Sequence, residues 1–386
     1  MNKNLINTSL FLIFLCSIAC KQQNNPQDYS SEVDSLKLMQ IRKAREDSIG
    51  WAYSTSLQSK IKNKVIADAE TEPVQSLKGE DAADDAAIWV NESNPSQSLV
   101  LGTNKLGGLY IYNLEGKIVG YRKIGRINNV DLRDGFTFWE KKVVIVAVSN
   151  RSNNCISLLY IDKSSGEISD TIKNIKSTVD EVYGVCLYKE INHNKFYVFV
   201  NGKGGKVEQW SISGGNNIQA KLLRTFTTGS QPEGMVANDK NGVLYIGVEE
   251  EGIYKIAADP TKEVKMEKLS GSDSTNTSIV YDIEGLALFS YNGTGFLIAS
   301  SQGNYSYALF KLGKTDEYVT SFSISDGDGI DGVEETDGLE ITTSPLNSLF
   351  PQGMLVVQDG FNYKGDTLLN QNFKFISFEK LVKFIE

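Results

Sequence analysis

The chain has 386 residues, 40% hydrophobic and 23% charged, with a formal net charge of −9 at pH 7. That is length for one large domain or two ordinary ones, and the acidic balance argues against a nucleic-acid partner, which would call for a basic face. The single histidine, His193, lies in the polar hairpin-like stretch INHNKFY and reads as exposed, which argues against a Ser-His-Asp triad and against zinc held by histidines.

Residues 1–20 read as an export signal. Lys3 is followed by the apolar run LFLIFLCSIAC, too short to span a bilayer comfortably and ending at Cys20. The pattern resembles a bacterial lipoprotein signal, so the expectation is an exported protein, anchored at the outer membrane or cell surface through lipid on Cys20; ordinary cleavage to a periplasmic or secreted product is the alternative. No other membrane contact is expected. Residues 21–66 are polar and mixed in charge, a tether with some helical periodicity around Val33, Leu36, Leu38, Met39 and Ile41. Cys155 and Cys186 either pair or stay as buried thiols.

From residue 67 a pattern recurs six times: an acidic or polar cluster, a small residue, an apolar strand, a turn and further strands. Examples are DDAAIWVNESNPSQSLVLGTNKLGGLYIYNLEG and QPEGMVANDKNGVLYIGVEEEGIYKI. Gly184, Gly234, Gly285 and Gly338 mark one phase at separations of 50, 51 and 53 residues, and Asp85 and Asp131 take the comparable places in the first two units. A period near 50 with about four strands per unit predicts an all-β fold, a six-bladed β-propeller over residues 67–386. The segment Ala69–Gly79 and the C-terminal NFKFISFEKLVKFIE are the candidates for closing the ring.

Carboxylates precede the innermost strand of each unit: Asp84 and Asp85, Asp131, Asp180 and Glu181, Glu233, Asp282 and Glu284, Asp337. Innermost strands of a propeller line its channel, so this phase gathers acids at one mouth. Without histidine or thiolate, such a ring suits Ca²⁺ or Mg²⁺. Lys105, Arg151 and Lys203 each follow a strand end in the same phase, in GTNKLGG, VSNRSNN and VNGKGGK. An acidic half facing a basic half suits a polyphosphorylated small molecule, each phosphate carrying roughly −1.5 to −2 charges.

At these residues the sequence resembles the β-propeller phytases, calcium-dependent enzymes that release phosphate from phytate, myo-inositol hexakisphosphate. The segments AETEPV, DAADDAAIW, TNKLGGLYIYNLEGK, NNVDLR, SNRS, DEVYG, VNGKGG, EGM, LYIGVEEEGIYK, DIEGL, LIASSQGNYSYA, TDGLE, VVQDG and NQNFK stand in the family's order. The resemblance implies that Asp84, Asp85, Glu233, Glu249, Glu284 and Asp337 hold catalytic calcium and orient water. It implies that Lys105, Arg151, Lys203 and Tyr183 hold substrate phosphates. Glu70, Asp81, Asp282, Gln302, Asp331 and Gln358 fall where the family has further calcium ligands, mostly structural. Departures are Leu106 in place of a second lysine, Ala86 in place of proline, Val248 in place of an acid, and a missing aromatic after Arg133. The implied substrates are phytate and lower inositol phosphates, and the implied state is a monomer. A calcium-dependent lactonase on the same architecture, which would not need three cations at the channel mouth, or a surface-binding propeller without catalysis, which could lose the acids or the cations, is the alternative.

Overall fold

A computed structural model describes residues 49–77 and 80–386. The expected signal, Cys20 and the first part of the tether lie outside the described residues. The chain divides into two units, residues 1–53 and 54–386. The described part of the first, 49–53, is helical; the second begins with helical residues 54–58 and then turns to strands. Among the described residues no helix is long and apolar enough to cross a membrane.

The second unit is a six-bladed β-propeller of four-stranded antiparallel blades. Blade 1 comprises Ala83–Trp89, Leu99–Asn104, Leu109–Tyr112 and Ile118–Arg122. Blade 2 comprises Ile127–Phe138, Lys141–Asn150, Cys155–Ile161 and Lys173–Lys176. Blade 3 comprises Val182–Glu190, Lys195–Gly202, Lys206–Ser213 and Gln219–Thr227. Blade 4 comprises Pro232–Asn238, Val243–Val248, Gly252–Ala257 and the two-residue Glu267–Lys268. Blade 5 comprises Ile283–Tyr291, Thr294–Ser301, Ser306–Leu312 and Glu317–Ser325. Blade 6 takes Leu339–Thr342, Met354–Asp359 and Asn372–Ser377 from the end of the chain and its outermost strand, Ala69–Glu70, from the beginning.

Both ring-closing candidates therefore act together. Ala69 pairs with Phe375 and Glu70 with Lys374, and the main-chain bonds continue through Asp68 N to Phe375 O and Thr71 N to Phe373 O. The propeller unit also starts earlier than residue 67. Asn63–Ile66 lies parallel to Glu317–Ser325 as a fifth strand on blade 5, and Gln58 donates to the carbonyls of Tyr305 and Val333 at 3.0 and 2.8 Å.

Successive side chains of a strand point to opposite faces. In blade 1, Val100 and Tyr110 pack toward blade 6, while Leu101 and Leu109 pack toward blade 2. Every blade interface is filled in this way by one apolar cluster. Strands buried on both faces need near-continuous apolar runs such as KKVVIVAVSN, the second strand of blade 2, which is why such strands lack the alternation of a one-sided sheet. Cys155 and Cys186 are buried free thiols in blades 2 and 3. His193 is exposed in a turn, its Nδ1 2.8 Å from the Glu190 carboxylate.

Candidate functional site

Five inner strands carry one extra residue at the same place. In blade 1 the pairs Ala83–Asn104 and Ala86–Gly102 bracket Asp84 and Asp85. The same irregularity brackets Asn128–Asn129 in blade 2, Tyr183–Gly184 in blade 3, Glu233–Gly234 in blade 4 and Glu284–Gly285 in blade 5. In blade 6, Asp337 and Gly338 sit just before the inner strand. A bulge of this kind sharpens the local twist and re-aims its side chains.

The second residue of the doublet packs against the next blade, which explains the periodic glycine. A Cβ on Gly184 would lie 2.0 Å from Glu233 O, and one on Gly234 would lie 2.1 Å from Glu284 O. One on Gly338 would lie 2.3 Å from Asp85 Oδ1, closing the circle onto blade 1. The first residue is then free to face the channel mouth: Asp84, Asn128, Tyr183, Glu233, Glu284 and Asp337.

A second ring comes from the residue that follows the second strand of each blade. That strand ends opposite the residue preceding the bulge, so both rings lie at one end of the blades. Blades 1 to 3 place Lys105, Arg151 and Lys203 there, and blades 4 and 5 place Glu249 and Gln302.

The two rings interlock. The Lys105 ammonium, 12% exposed, lies 2.6 Å from Asp81, 3.3 Å from Asp84 and 3.0 Å from Asp337. Burial works against that charge, but the three carboxylates outweigh it and hold the pKa well above the ordinary lysine value. Gln302 Nε2 donates to Asp337 Oδ1 at 2.5 Å, and the Asp337 amide donates to Gln358 Oε1 at 2.8 Å. One carboxylate oxygen from each of Glu233, Glu249 and Glu284 lies within 4.8 Å of the others. Glu249 accepts a hydrogen bond from Gln231 Nε2. Tyr183 lies beneath the cations, with Lys203 Nζ 4.7 Å and the Arg151 guanidinium 5.9 Å from its ring centre. Arg151 Nε donates to Glu181 at 2.7 Å.

Desolvation dominates the acids' proton affinity, and neighbouring carboxylates add to it. Burial lifts Asp84 to about 7 against the pull of Lys105, with Asp337 and Asp81 pushing the same way. Burial lifts Glu249 to about 7, and Glu284 well above the usual carboxylate range with help from Asp337 and Asp84. The Tyr183 hydroxyl is raised as well, by burial and then by Glu284, Asp84, Asp337 and Glu249. Carboxylates desolvated together in this way gain from a cation that stabilises their ionised form.

The donor set fits a hard divalent ion. Asp84 Oδ1 and Glu284 Oε2 are buried without a hydrogen-bond partner. Ligand oxygens of Ca²⁺ stand about 2.3–2.6 Å from the ion, so two on opposite sides of one ion are separated by roughly the spacing seen among Glu233, Glu249 and Glu284.

Other residues singled out in the sequence lie elsewhere. Asp85 turns into the channel, its Oδ2 accepting from Val130 N at 3.0 Å, where it lines a cavity of about 210 Å³ with Asp131, Arg133 and Glu340. Glu70 and Asp331 share the fully buried ammonium of Lys374 with Asp359; the Glu70 and Asp359 contacts are 2.6 and 3.3 Å. Asp282 is half-buried before the inner strand of blade 5, and its pKa is raised by burial and by Glu250.

Two placements in the repeat need correction. Asp131 is not the counterpart of Asp85; the blade 2 doublet is Asn128–Asn129. Asp131 lies lower on the strand, 2.6 Å from Arg133 Nη1 and accepting from Leu187 N. Asp180 is exposed and Glu181 pairs with Arg151, so the blade 3 doublet is Tyr183–Gly184. Asn128 was missed because it carries no charge. Its signal was the doublet itself, NN standing 44 residues after DD.

The curated 3-phytase of Bacillus subtilis (strain 168) is 41% identical over 330 residues, which cover 83% of this chain and 85% of that protein. Among solved structures, a computationally designed protein, Ika8, is 14% identical with a TM-score of 0.38, covering 76% of this chain and 70% of its own. A functionally unknown protein from Desulfotomaculum acetoxidans DSM 771 is 14% identical with a TM-score of 0.43, covering 64% and 74%. The family model described as Phytase matches residues 39–386, a span that takes in all six blades and both rings of the channel mouth. With the ordered motifs, the acids and the three cations all inside that match, the chain belongs to the phytase family.

Proposed function

We propose that this chain is a calcium-dependent phosphomonoester hydrolase that releases phosphate from phytate and lower inositol phosphates, as a 3-phytase. One observation carries the reading: five carboxylates, Asp84, Glu233, Glu249, Glu284 and Asp337, and three cations from all six blades share one mouth, with two buried carboxylate oxygens left unpartnered. Family membership and the name of the Bacillus relative support it.

In this reading Asp84, Glu233, Glu249, Glu284 and Asp337 hold calcium, which when bound supplies Lewis acidity and charge neutralisation. The chain's own part is positional and electrostatic. Lys105, Arg151 and Lys203 offer N–H donors to the oxygens of the transferring phosphate or its neighbour, where negative charge is held in the transition state. Arg151 is pre-aimed by Glu181, and Lys203 by the face of Tyr183. Glu233 orients the attacking water for in-line displacement of the inositol oxygen. Gln302 and Gln358 fix Asp337 from its side chain and its backbone. Asp85, Asp282, Glu70, Asp331 and Asp81 are read as supporting groups, with Asp81 positioned by Lys105 at the open edge.

The test is free phosphate released from phytate with Ca²⁺ present, set against the same protein in excess chelator. Calcium-dependent release is expected. Equal release in chelator removes the metal from the reading, and release from neither condition leaves a binding propeller. Export with a lipid anchor at Cys20 belongs to the same reading and rests on the short apolar run ending at that cysteine; mass spectrometry of the mature N terminus tests it.

A further inference from the structure

Asn128 holds the only neutral amide among the six mouth-facing doublet positions; the others are four carboxylates and a tyrosine. Its side chain is fully buried, and two of its three hydrogen bonds run to the site. Nδ2 donates to Glu233 Oε1 at 2.8 Å and to Asn129 Oδ1 at 3.0 Å. Oδ1 accepts from Arg151 Nη1 at 3.3 Å. The orientation of the amide is fixed by chemistry: only its NH₂ can face the carboxylate of Glu233, and only its oxygen can face a guanidinium.

We propose that Asn128 is a positioning residue that couples Arg151, a phosphate-holding cation, to Glu233, the acid that orients water. This rests on the reading of the site given above. Arg151 is held from two sides, by Glu181 at Nε and by Asn128 at Nη1, which sets the plane of its fork. Glu233 is held by the same amide from below, so the cation that receives the phosphate and the acid beside the metal move as one unit. A carboxylate at residue 128 would keep Arg151 but repel Glu233. An apolar residue would release both and leave a buried carboxylate oxygen without a donor.

The two substitutions therefore separate the roles. In Asn128→Ala, phytate KM rises and kcat falls, and kcat/KM drops about 10- to 100-fold, the range for losing hydrogen bonds to charged groups. In Asn128→Asp, KM stays within about twofold of the wild type because Arg151 keeps its acceptor, while kcat falls about tenfold or more. Calorimetric binding of inorganic phosphate to the calcium-loaded protein supplies a readout independent of turnover: weakened in the alanine variant, retained in the aspartate one. If the alanine variant does not fold, the aspartate variant alone decides, since equal changes in KM and kcat, or no change in either, overturn the coupling. Wild-type kinetics in both variants overturn it too. A wild-type chain that releases no phosphate from phytate sinks the phytase reading, and Asn128's role with it; a wild type that turns over beside unaffected variants sinks the role alone.

Discussion

At the scale of single residues, charge rather than shape is what the site is made of. Glu233 shows this most clearly. Its Oε1 accepts from Asn128, and one of its oxygens lies within 4.8 Å of Glu249 and Glu284 oxygens. Glu233→Gln keeps the side-chain length and the acceptor for Asn128 and removes only the negative charge. Turnover of phytate is expected to fall at least about a hundredfold, the loss usual for removing one preorganised electrostatic group, with an unchanged circular-dichroism melt. Turnover within a few-fold of the wild type would remove Glu233 from the chemistry. At this scale the sequence was informative wherever a residue carried charge in phase: Asp84, Glu233, Glu284, Asp337, Lys105, Arg151 and Lys203 all reach the mouth. It was misleading where charge lay near the phase without being in it, as at Asp131 and Asp180. It was silent where an in-phase residue had no charge, as at Asn128. Sequence spacing reports the period of the blades but not the one-residue bulge that decides which side chain is aimed inward.

At the scale of elements, that bulge and the glycine behind it are the device that builds the site. The inner strands approach each other so closely around the channel that the second doublet residue has no room for a side chain in four blades. Gly338 is the most constrained by function, because the Cβ it lacks would meet Asp85 Oδ1 at 2.3 Å and Asp85 Cα at 2.5 Å. Backbone contacts of that kind do not yield cheaply. Gly338→Ala is expected to lower stability by about 1–3 kcal/mol in urea unfolding, and to depress turnover because Asp84 and Asp337 flank the displaced backbone. Gly295→Ala is the control. It lies in the second strand of blade 5, where the nearest atom to an added Cβ is 3.7 Å away, an ordinary contact. Its stability should change by less than about 0.5 kcal/mol. Equal losses in both variants would mean that the periodic glycines reflect strand propensity rather than blade contact. The elements themselves were legible from the sequence because most of the second and third strands of the blades are short apolar runs closed by Gly or Asn turns. The fifth strand of blade 5, Asn63–Ile66, was not: NKVI is too short and too polar to stand out from the segment before it.

At the scale of the whole molecule, desolvated carboxylates in and below the mouth cost stability when they ionise, and pH reads that cost out. Four carboxylates, Asp84 and Asp359 buried and Glu249 and Glu340 half-buried, are raised chiefly by desolvation: Asp84, Glu249 and Asp359 to about 7, and Glu340 to about 8. Each holds its proton more tightly in the folded chain than in the unfolded one. Between the ordinary carboxylate range and those raised values the unfolded state has released protons that the folded state retains, so stability falls as pH rises. Carboxylates shifted the other way, such as Glu181 beside Arg151, have completed their contribution below pH 5 and do not offset this window. In chelator, the thermal midpoint should therefore drop steadily from pH 5 to pH 8. Calcium binds the ionised acids of the folded chain and adds stability by mass action, so its addition should raise the midpoint strongly at pH 8 and only slightly at pH 5. Differential scanning calorimetry at the two pH values, each in chelator and in excess Ca²⁺, measures all four midpoints. A metal-free midpoint that climbs from pH 5 to pH 8, or a calcium shift of equal size at both, would show that the acids of the mouth are already balanced by Lys105 and its neighbours, with no charge left over for an ion to neutralise.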